Sequence, residues 1–241
     1  KADRVVCVTD ADADAVRGEI PGADVVVVPN AHAEVDPGPG PAGRAGCLFV
    51  GNFNHPPNAD ALAWWKSEIA PLLAGRLPGV GLTVVGNDPH GVAGAMADDT
   101  IEVTGAVDTT LPFLHGARVS VAPLRYGAGM KGKVGEALAA GLPVVATTVA
   151  AEGMGLVDGE HVLIADTPEQ FADAIARLHT DNALWERLRR AGRDHVGRRF
   201  GVERMRAEIP LLLAPAATAV AAGNRAARRR TRHQEPATSS A

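Results

Sequence analysis

Short runs of β-branched residues alternate with longer helical patterns along most of this 241-residue chain. Cys47–Gly51 and Val119–Ala122 are examples of the runs, and a helical pattern follows each of them. Such alternation is typical of βαβ units, whose parallel strands form a sheet with crossover helices on both faces. We therefore predict an α/β fold built on a doubly wound parallel sheet.

The same pattern divides the chain into unequal parts. Residues 1–35 hold two strand-like runs around one helical segment, and we predict that they are the C-terminal remnant of another α/β domain. Proline and glycine alternate in residues 36–45, which suits neither a helix nor a central strand and predicts a linker. Residues 46–200 hold about six strands and form a complete domain, and residues 201–213 add one helix. Within that domain we predict helices at about Asn58–Leu73, Asp108–His115 and Lys131–Ala140.

Residues 214–241 differ in composition from the rest, because they are rich in alanine, proline, serine and arginine. We predict a disordered, solvated tail, with contact to acidic lipid headgroups as the alternative. The arginines of this tail are Arg225, Arg228, Arg229, Arg230 and Arg232.

Net charge, hydropathy and cysteine spacing limit which partners the chain can bind and in which cellular compartment it works. The net charge of −4 disfavours a general nucleic-acid-binding protein. No run reaches the roughly 18 apolar residues that a membrane-spanning helix needs. Cys7 and Cys47 stand outside any metal-ligand spacing and are predicted to be free thiols in a reducing compartment. We expect a cytoplasmic protein, peripheral at the inner membrane face if the tail binds lipid. Because Lys1 directly precedes a strand-like run, we also expect a piece of a longer protein.

Ligands of open parallel sheets collect outside the carboxyl ends of the strands, where helix N-termini direct free N–H groups at anions. Three loops therefore qualify as candidate sites: residues 51–58, 86–90 and 122–133. The last contains Gly127, Gly129 and Gly132, which allow positive φ angles and a close backbone approach to a phosphate.

Two of the four lysines of the chain, Lys131 and Lys133, fall in the first turn of the helix that follows this loop. A cation at a helix N-terminus opposes the helix dipole at a cost of roughly 0.3–1 kcal/mol, so a bound anion is the natural compensation. The alternative is that both side chains point into water. Glu136 shares a helix face with Lys133 and either forms a surface ion pair or accepts hydrogen bonds from two vicinal hydroxyls, such as those of a ribose.

These motifs resemble the group 1 (family 4) glycosyltransferases of the GT-B fold. The resemblance covers roughly residues 45–200 and is strongest at 50–58, 122–137 and 141–147. It implies a Rossmann-like C-terminal domain that binds a nucleotide-diphosphate sugar, retaining transfer without a metal cofactor, and a glycan, lipid-linked or small-molecule acceptor held by the N-terminal domain. It also implies that Glu136 is the second glutamate of the family's Glu-x7-Glu motif and holds the ribose.

Two departures from the family pattern bear on the site. Ala128 stands where the motif has its first glutamate, and the usual arginine and lysine after the first strand are absent from residues 51–60. We hypothesise that Arg125, Lys131 and Lys133 neutralise the diphosphate instead. Gly129 and Gly132 would supply backbone donors.

The remaining candidates follow other strands. Gly51, Asn52 and His55 lie in the loop 51–58, where His55 either touches sugar or phosphate or satisfies a local backbone group, and Asn58 is a candidate helix cap. Glu152 is a candidate contact to the transferred sugar or part of a solvated turn. The helix residues Trp64 and Trp65 are predicted to pack in the core.

Two other functions stay open from the sequence. Gly127–Gly132 is also a literal G-x-G-x-x-G with Glu152 twenty residues beyond it, as in an NAD-dependent oxidoreductase. That fingerprint should follow the first strand of its domain, whereas several βα units precede this loop. A non-catalytic protein of the same fold that binds a nucleotide or a partner is the other alternative, because the first motif glutamate is missing. An epimerase on this fold has no acid–base pair here to support it.

Overall fold

The computed structural model describes residues 4–213, which form two compact units: residues up to Val28 with those from Arg206 onward, and Pro29–Met205. The tail predicted for residues 214–241, with its arginines and its lipid contact, lies outside the described residues. None of the described helices is both long enough and apolar enough to cross a membrane.

The smaller unit contains one βαβ element. Its strands β1 (Val5–Cys7) and β2 (Val25–Val27) pair in parallel, and helix α1 (Asp10–Glu19) connects them. Thr9 caps the helix by accepting a hydrogen bond from the Asp12 amide. Arg4 holds Asp24 at 2.8 Å and donates to the carbonyl of Leu212, so the last described turn of the chain belongs to this unit.

The larger unit is a six-stranded parallel sheet with helices between the strands, as the alternating pattern predicts. Its strands are β3 (Ala45–Val50), β4 (Leu82–Val85), β5 (Ile101–Gly105), β6 (Ala117–Ala122), β7 (Val144–Ala146) and β8 (Leu163–Ile164). Its helices are α2 (Pro56–Trp64), α3 (Ala70–Arg76), α4 (Leu111–Gly116), α5 (Gly132–Ala139), α6 (Thr148–Ala151), α7 (Pro168–Thr180) and α8 (Asn182–Phe200), and α9 (Val202–Leu213) follows.

The strand order β5-β4-β3-β6-β7-β8 reverses direction between β3 and β6. This is the doubly wound order, and the crevice outside the carboxyl ends of β3 and β6 is its topological switch point. Every residue of β6 is buried, as expected for a central strand covered on both faces. The predicted fold class is confirmed, and the loops that follow β3 and β6 lie at the point where such sheets bind ligands.

The helix predicted at Asn58–Leu73 begins earlier and continues further, to Arg76, with a π-helical turn at Trp65–Ile69. In that turn the Ala70 amide bonds to the Trp65 carbonyl five residues back. Pro71 explains the wide turn, because its ring cannot fit over an ordinary i−4 carbonyl and it has no N–H to donate. Both predicted core tryptophans are buried, Trp64 at 6% exposure and Trp65 at 2%.

Helix α4 begins at Leu111 rather than at the predicted Asp108. The Thr109 hydroxyl accepts a hydrogen bond from the Leu111 amide, and Pro112 stands in the first turn, so residues 108–110 form a turn before the helix. Helix α5 is likewise one residue shorter at each end than predicted, with Lys131 as its N-cap. The helix therefore presents its first free amides directly after the lysine.

The proline-rich segment 36–45 belongs to the larger unit and packs within it. Arg44, Arg118 and Arg189 donate to the carbonyls of Pro39, Pro41 and Gly38, and their guanidinium carbons lie 5.2–5.8 Å from the ring centroid of Trp185. Burial, together with the two neighbouring cations, lowers the pKa of Arg44 to about 10. Prolines at every second position from Pro37 to Pro41 prevent a regular hydrogen-bond ladder before β3, and arginine side chains satisfy the carbonyls instead.

Candidate functional site

A cavity of about 590 Å³ opens at the switch point, between the loops that follow β3 and β6. It brings together eight of the eleven residues that the sequence suggests for the site: Gly51, Asn52, His55, Gly127, Lys131, Gly132, Lys133 and Glu136. The described lining of the cavity does not include the other three, Arg125, Gly129 and Glu152. The cavity combines two cations, one carboxylate, amide side chains and a helix N-terminus.

The floor of the cavity depends on a close backbone contact between neighbouring strand ends. Gly86 directly follows β4 with a φ of +140°, and a Cβ atom added to it would lie 1.8 Å from the Gly51 carbonyl oxygen. Gly51 in turn donates to the Val85 carbonyl at 2.9 Å. Only glycine lets the ends of β3 and β4 approach this closely, so Gly86 shapes the site without lining it.

Lys131 organises the glycine-rich loop. Its side chain is buried, and the ammonium donates to the carbonyls of Gly127 and Gly129 at 3.2 and 2.5 Å. Glu152 lies 3.8 Å from the same nitrogen. The two hydrogen bonds hold the loop around the lysine, and the three oxygens neutralise part of the ammonium charge. The Lys131 side chain also lines the cavity. The alternative in which it points into water is wrong.

Lys133 lies in the same wall, on the first turn of α5, and its side chain is partly buried. Its ammonium donates to the Asn58 side-chain oxygen and sits 4.5 Å from the centre of the Phe49 ring. Burial, and the nearby charge of Lys131, lower the pKa of Lys133 to about 7. An anion in the cavity would oppose this shift, so the charge of Lys133 should depend on the bound ligand.

Glu136 lies one turn further along α5, and its carboxylate is held by Thr110. The Thr110 hydroxyl donates to one carboxylate oxygen, and the side chain lines the cavity, half-buried. No ion pair joins it to Lys133 among the residues described, which rules out the surface-pair alternative. One carboxylate oxygen thus stays available for hydroxyl groups of a ligand.

Arg125 is turned away from the cavity, toward helix α2. Its guanidinium makes a two-pronged contact with Asp60 and lies 5.8 Å from the centre of the Trp64 ring. Asp60 and Trp64 are one helical turn apart on α2 and present a carboxylate and an aromatic face together. The structure therefore does not bring Arg125 together with the two lysines, and its predicted contact with a diphosphate requires the Asp60 pair to break.

Replacing Arg125 by glutamine tests that contact. From the position of the side chain we expect less than a threefold change in affinity for a nucleoside diphosphate and a loss of about 1 kcal/mol or less in the free energy of unfolding, typical of an exposed pair. Calorimetric titration and urea unfolding measure the two quantities, and Asp60→Asn is the matched control, because it breaks the same pair from the other side. If Arg125→Gln binds the nucleoside diphosphate tenfold more weakly and Asp60→Asn does not, Arg125 contacts the diphosphate.

The loop after β3 is held by its own side chains. The Asn58 amide donates to the Asn52 carbonyl at 2.7 Å, so Asn58 is not the helix cap that the sequence suggests. His55 is the N-cap position of α2, but its side chain accepts no capping bond and lines the cavity. Asn52 accepts a hydrogen bond from the Asn54 amide. His55 therefore lines the cavity without a capping bond, and its contact with sugar or phosphate stays a prediction.

Glu152 and Gly129 lie behind the cavity lining. Glu152 follows α6, is 52% exposed, and is connected to the site through the Lys131 ammonium. Gly129 has a φ of +72° and offers its carbonyl to that same ammonium. Their predicted contacts with sugar and phosphate stay predictions.

Sequence reasoning missed three residues that shape the site: Asn58, Thr110 and Phe49. Each partners a lysine or the glutamate of α5, from 26 to 84 positions away along the chain. No local pattern marks such partners, although Asn58 stands in the motif that carries the resemblance. Within residues 4–213 there is no group of three or more histidine, cysteine or acidic side chains placed to hold a metal ion.

A family model described as "Glycosyl transferases group 1" matches residues 44–181, more than half of the chain. A curated relative, an uncharacterized 44.6 kDa protein in the cps region of Klebsiella pneumoniae, is 30% identical over 137 residues, which are 53% of this chain and 35% of that protein.

Two solved structures illustrate the likeness in fold. S. aureus TarM superimposes with a TM-score of 0.72 at 15% identity, covering 87% of this chain and 43% of its own. Anabaena Alr3699/HepE, solved in complex with UDP and glucose, gives 0.69 at 16% identity, covering 88% of this chain and 63% of its own. The chain thus spans between about a third and two thirds of these proteins.

Proposed function

Because the chain belongs to the group 1 glycosyltransferases, we propose that the cavity at its switch point binds a nucleotide-diphosphate sugar whose sugar is transferred with retention to an acceptor hydroxyl. The observation that carries this proposal is the convergence of Lys131, Lys133 and Glu136 on one cavity at the N-terminus of α5. Two cations and free amides suit a diphosphate, and a carboxylate one turn away suits the vicinal hydroxyls of a ribose.

The arrangement would stabilise the leaving group. When the bond from the anomeric carbon to the diphosphate breaks, negative charge develops on the phosphate oxygens next to Lys133 and the first amides of α5. Fixed positive charge in a partly buried site stabilises such charge more strongly than water does. The lysines would supply the charge that a metal supplies elsewhere, so we propose transfer without a metal cofactor. UDP bound to a protein of the same fold supports a nucleoside diphosphate as the leaving group.

The acceptor would bind outside the larger unit. The chain spans 35% of its curated relative, and we propose that a glycan, lipid-linked or small-molecule acceptor is held by the part of such proteins that this chain does not include. The chain alone should therefore bind nucleotide weakly and transfer no sugar. Radiolabelled transfer by this chain without a partner would contradict that.

Replacing Glu136 by glutamine is expected to weaken UDP binding about tenfold, because a neutral amide accepts hydroxyl hydrogen bonds less strongly than a carboxylate does. Affinity for inorganic pyrophosphate, which has no ribose, should change less than twofold. Calorimetric titration of both ligands measures this, and Thr110→Val is the companion variant, because it removes only the partner of the carboxylate. If Glu136→Gln loses equal affinity for UDP and for pyrophosphate, Glu136 does not bind the ribose.

The affinity for UDP should depend on pH through Lys133. Its pKa of about 7 in the empty site means that above pH 7 a proton must be taken up on binding, so affinity falls up to tenfold per pH unit between pH 7 and 9. In the empty protein the effect on stability has the opposite sign. The unfolded lysine binds more protons than the folded one between about pH 7 and 10.5, so its contribution to folding stability rises with pH there. Lys133→Met should make the affinity for UDP nearly independent of pH over this range. If the pH dependence is the same in that variant, another group causes it.

A panel of ligands tests the function as a whole. We expect UDP or GDP to raise the melting temperature of the chain, and NAD to leave it unchanged. If NAD alone raises the melting temperature, the oxidoreductase is favoured. The position of the glycine-rich loop argues against that function, because it follows the fourth strand of the sheet in chain order and the fingerprint should follow the first.

A non-catalytic nucleotide-binding protein is the second candidate, and Ala128 is the observation that favours it. Ala128 lines the cavity at the position where the family motif has its first glutamate. A longer protein that contains this chain, incubated with labelled nucleotide sugars and acceptors, separates the two, because binding without transfer would favour the non-catalytic role.

We propose a cytoplasmic location, peripheral at the membrane if residues 214–241 bind lipid.

A further inference from the structure

A second cavity of about 260 Å³ lies beside the first and shares Glu136 with it. Thr109, Thr110 and Leu111 line one side of it, at the start of α4. Ala139 and Ala140 line another, at the end of α5. Mainly apolar walls with a few hydroxyl groups are typical of a site for a small molecule.

His32 forms the remaining wall of this second cavity. Its backbone amide is anchored by a 2.7 Å hydrogen bond to the Phe200 carbonyl. Its imidazole packs directly on Gly135, where an added Cβ would lie 2.1 Å from Nε2 and 2.6 Å from Cδ2 and Cε1. Gly135 is inside α5, where glycine costs about 1 kcal/mol relative to alanine. This position therefore makes room for the imidazole immediately next to Glu136.

The packing determines which edge of the imidazole is available. Nε2 is buried against α5 and has no hydrogen-bond partner among the described residues. Nε2 is unsatisfied in either tautomer, but Nδ1 lies on the ring edge away from Gly135, where a ligand can reach it, so we assign the proton of the neutral ring to Nδ1. Burial lowers the pKa of His32, and the charge of Glu136 opposes this shift, which places the ring within the field of that carboxylate. The neutral ring thus has its donor on the edge away from the helix.

Resting on the proposed function, we infer that His32 is a specificity-determining residue of the donor site and that its Nδ1–H donates to the nucleobase of the nucleotide. The donor is linear, from sugar through diphosphate and ribose to base. With the diphosphate at the lysines and the ribose at Glu136, the base lies beyond Glu136, where the second cavity opens.

The test compares ligands with and without a base. His32→Val should weaken binding of the best-bound member of a panel of UDP, GDP and ADP about tenfold, the loss of one hydrogen bond, and change pyrophosphate affinity less than twofold. His32→Asn, whose amide reaches the position of Nδ1, should recover part of the loss. The matched control is His179→Val, because His179 also has a buried Nε2 without a partner but lines neither cavity.

The outcomes separate this inference from the proposed function. If Lys133→Met weakens both UDP and pyrophosphate while His32→Val alters neither, the role of His32 is overturned and the donor site stands. Equal losses for UDP and pyrophosphate in His32→Val would show a structural role only and would also overturn the inference. If the unchanged chain binds no nucleoside diphosphate of the panel, both proposals fall.

Discussion

Replacing Lys133 by glutamate is expected to weaken nucleoside diphosphate binding by at least a hundredfold. The wild-type ammonium would contribute one charge-assisted hydrogen bond to the diphosphate, about 1.5–3 kcal/mol, or roughly 10- to 150-fold in affinity. A carboxylate in its place adds repulsion inside a partly buried site, where charges are poorly screened. Calorimetric titration with UDP measures the loss.

Two further variants make this result interpretable. Lys133→Met keeps the packing over Phe49 and removes the charge together with the hydrogen bond to Asn58, so it should show most of the loss even if the glutamate variant folds poorly. Lys66→Glu makes the same change in net charge at an exposed lysine paired with Asp98, and it should leave affinity within twofold of wild type. Unchanged UDP affinity in both Lys133 variants would remove this lysine from the site.

Gly86→Ala is expected to lower the free energy of unfolding by about 3–5 kcal/mol. The added methyl group would lie 1.8 Å from the Gly51 carbonyl oxygen, a backbone atom that cannot move without disturbing the pairing of β3 with β4. Backbone strain at positive φ contributes about 1–3 kcal/mol and overpacking about the same again. Urea unfolding monitored by tryptophan fluorescence gives the value.

Gly91→Ala separates the two sources of this loss. Gly91 also has a positive φ, +67°, but a Cβ there meets no atom within 4 Å, so only the backbone strain remains, about 1–2 kcal/mol. The difference between the two variants measures the contact between the strand ends together with any extra backbone strain at a φ of +140° relative to +67°. A loss in Gly86→Ala no larger than that in Gly91→Ala would mean that the strand ends relax at little cost.

The location of the site followed from the sequence because two local patterns agree there. The alternation of strands and helices places the loops after β3 and β6 at one edge of a parallel sheet. Clustered glycines before a helix mark the loop that can accept a phosphate. Gly51, His55, Lys131, Lys133 and Glu136 accordingly line one cavity.

The direction of each charged side chain did not follow from the sequence. Arg125 and Lys131 stand in the same loop and carry the same charge, yet Arg125 turns to Asp60 and Lys131 turns inward to the loop carbonyls. The carboxylate that decides this lies 65 residues away from Arg125. The π-helical turn before Pro71 was missed although its cause is local, because the helical periodicity was extended through the proline as an ordinary α-helix.

The sequence by itself determined the α/β fold, the order of its elements and the glycine-rich loop that lines the candidate site, because hydrophobic periodicity, glycine placement and helix propensity act over a few neighbouring residues. Only the tertiary structure decided that Thr110 holds Glu136, that Asn58 partners Lys133 and that His32 packs on Gly135. These pairs join residues that are far apart in the chain. Their geometry depends on how the strands and helices pack, and side-chain hydrogen bonds and burial respond to that packing within tenths of an ångström.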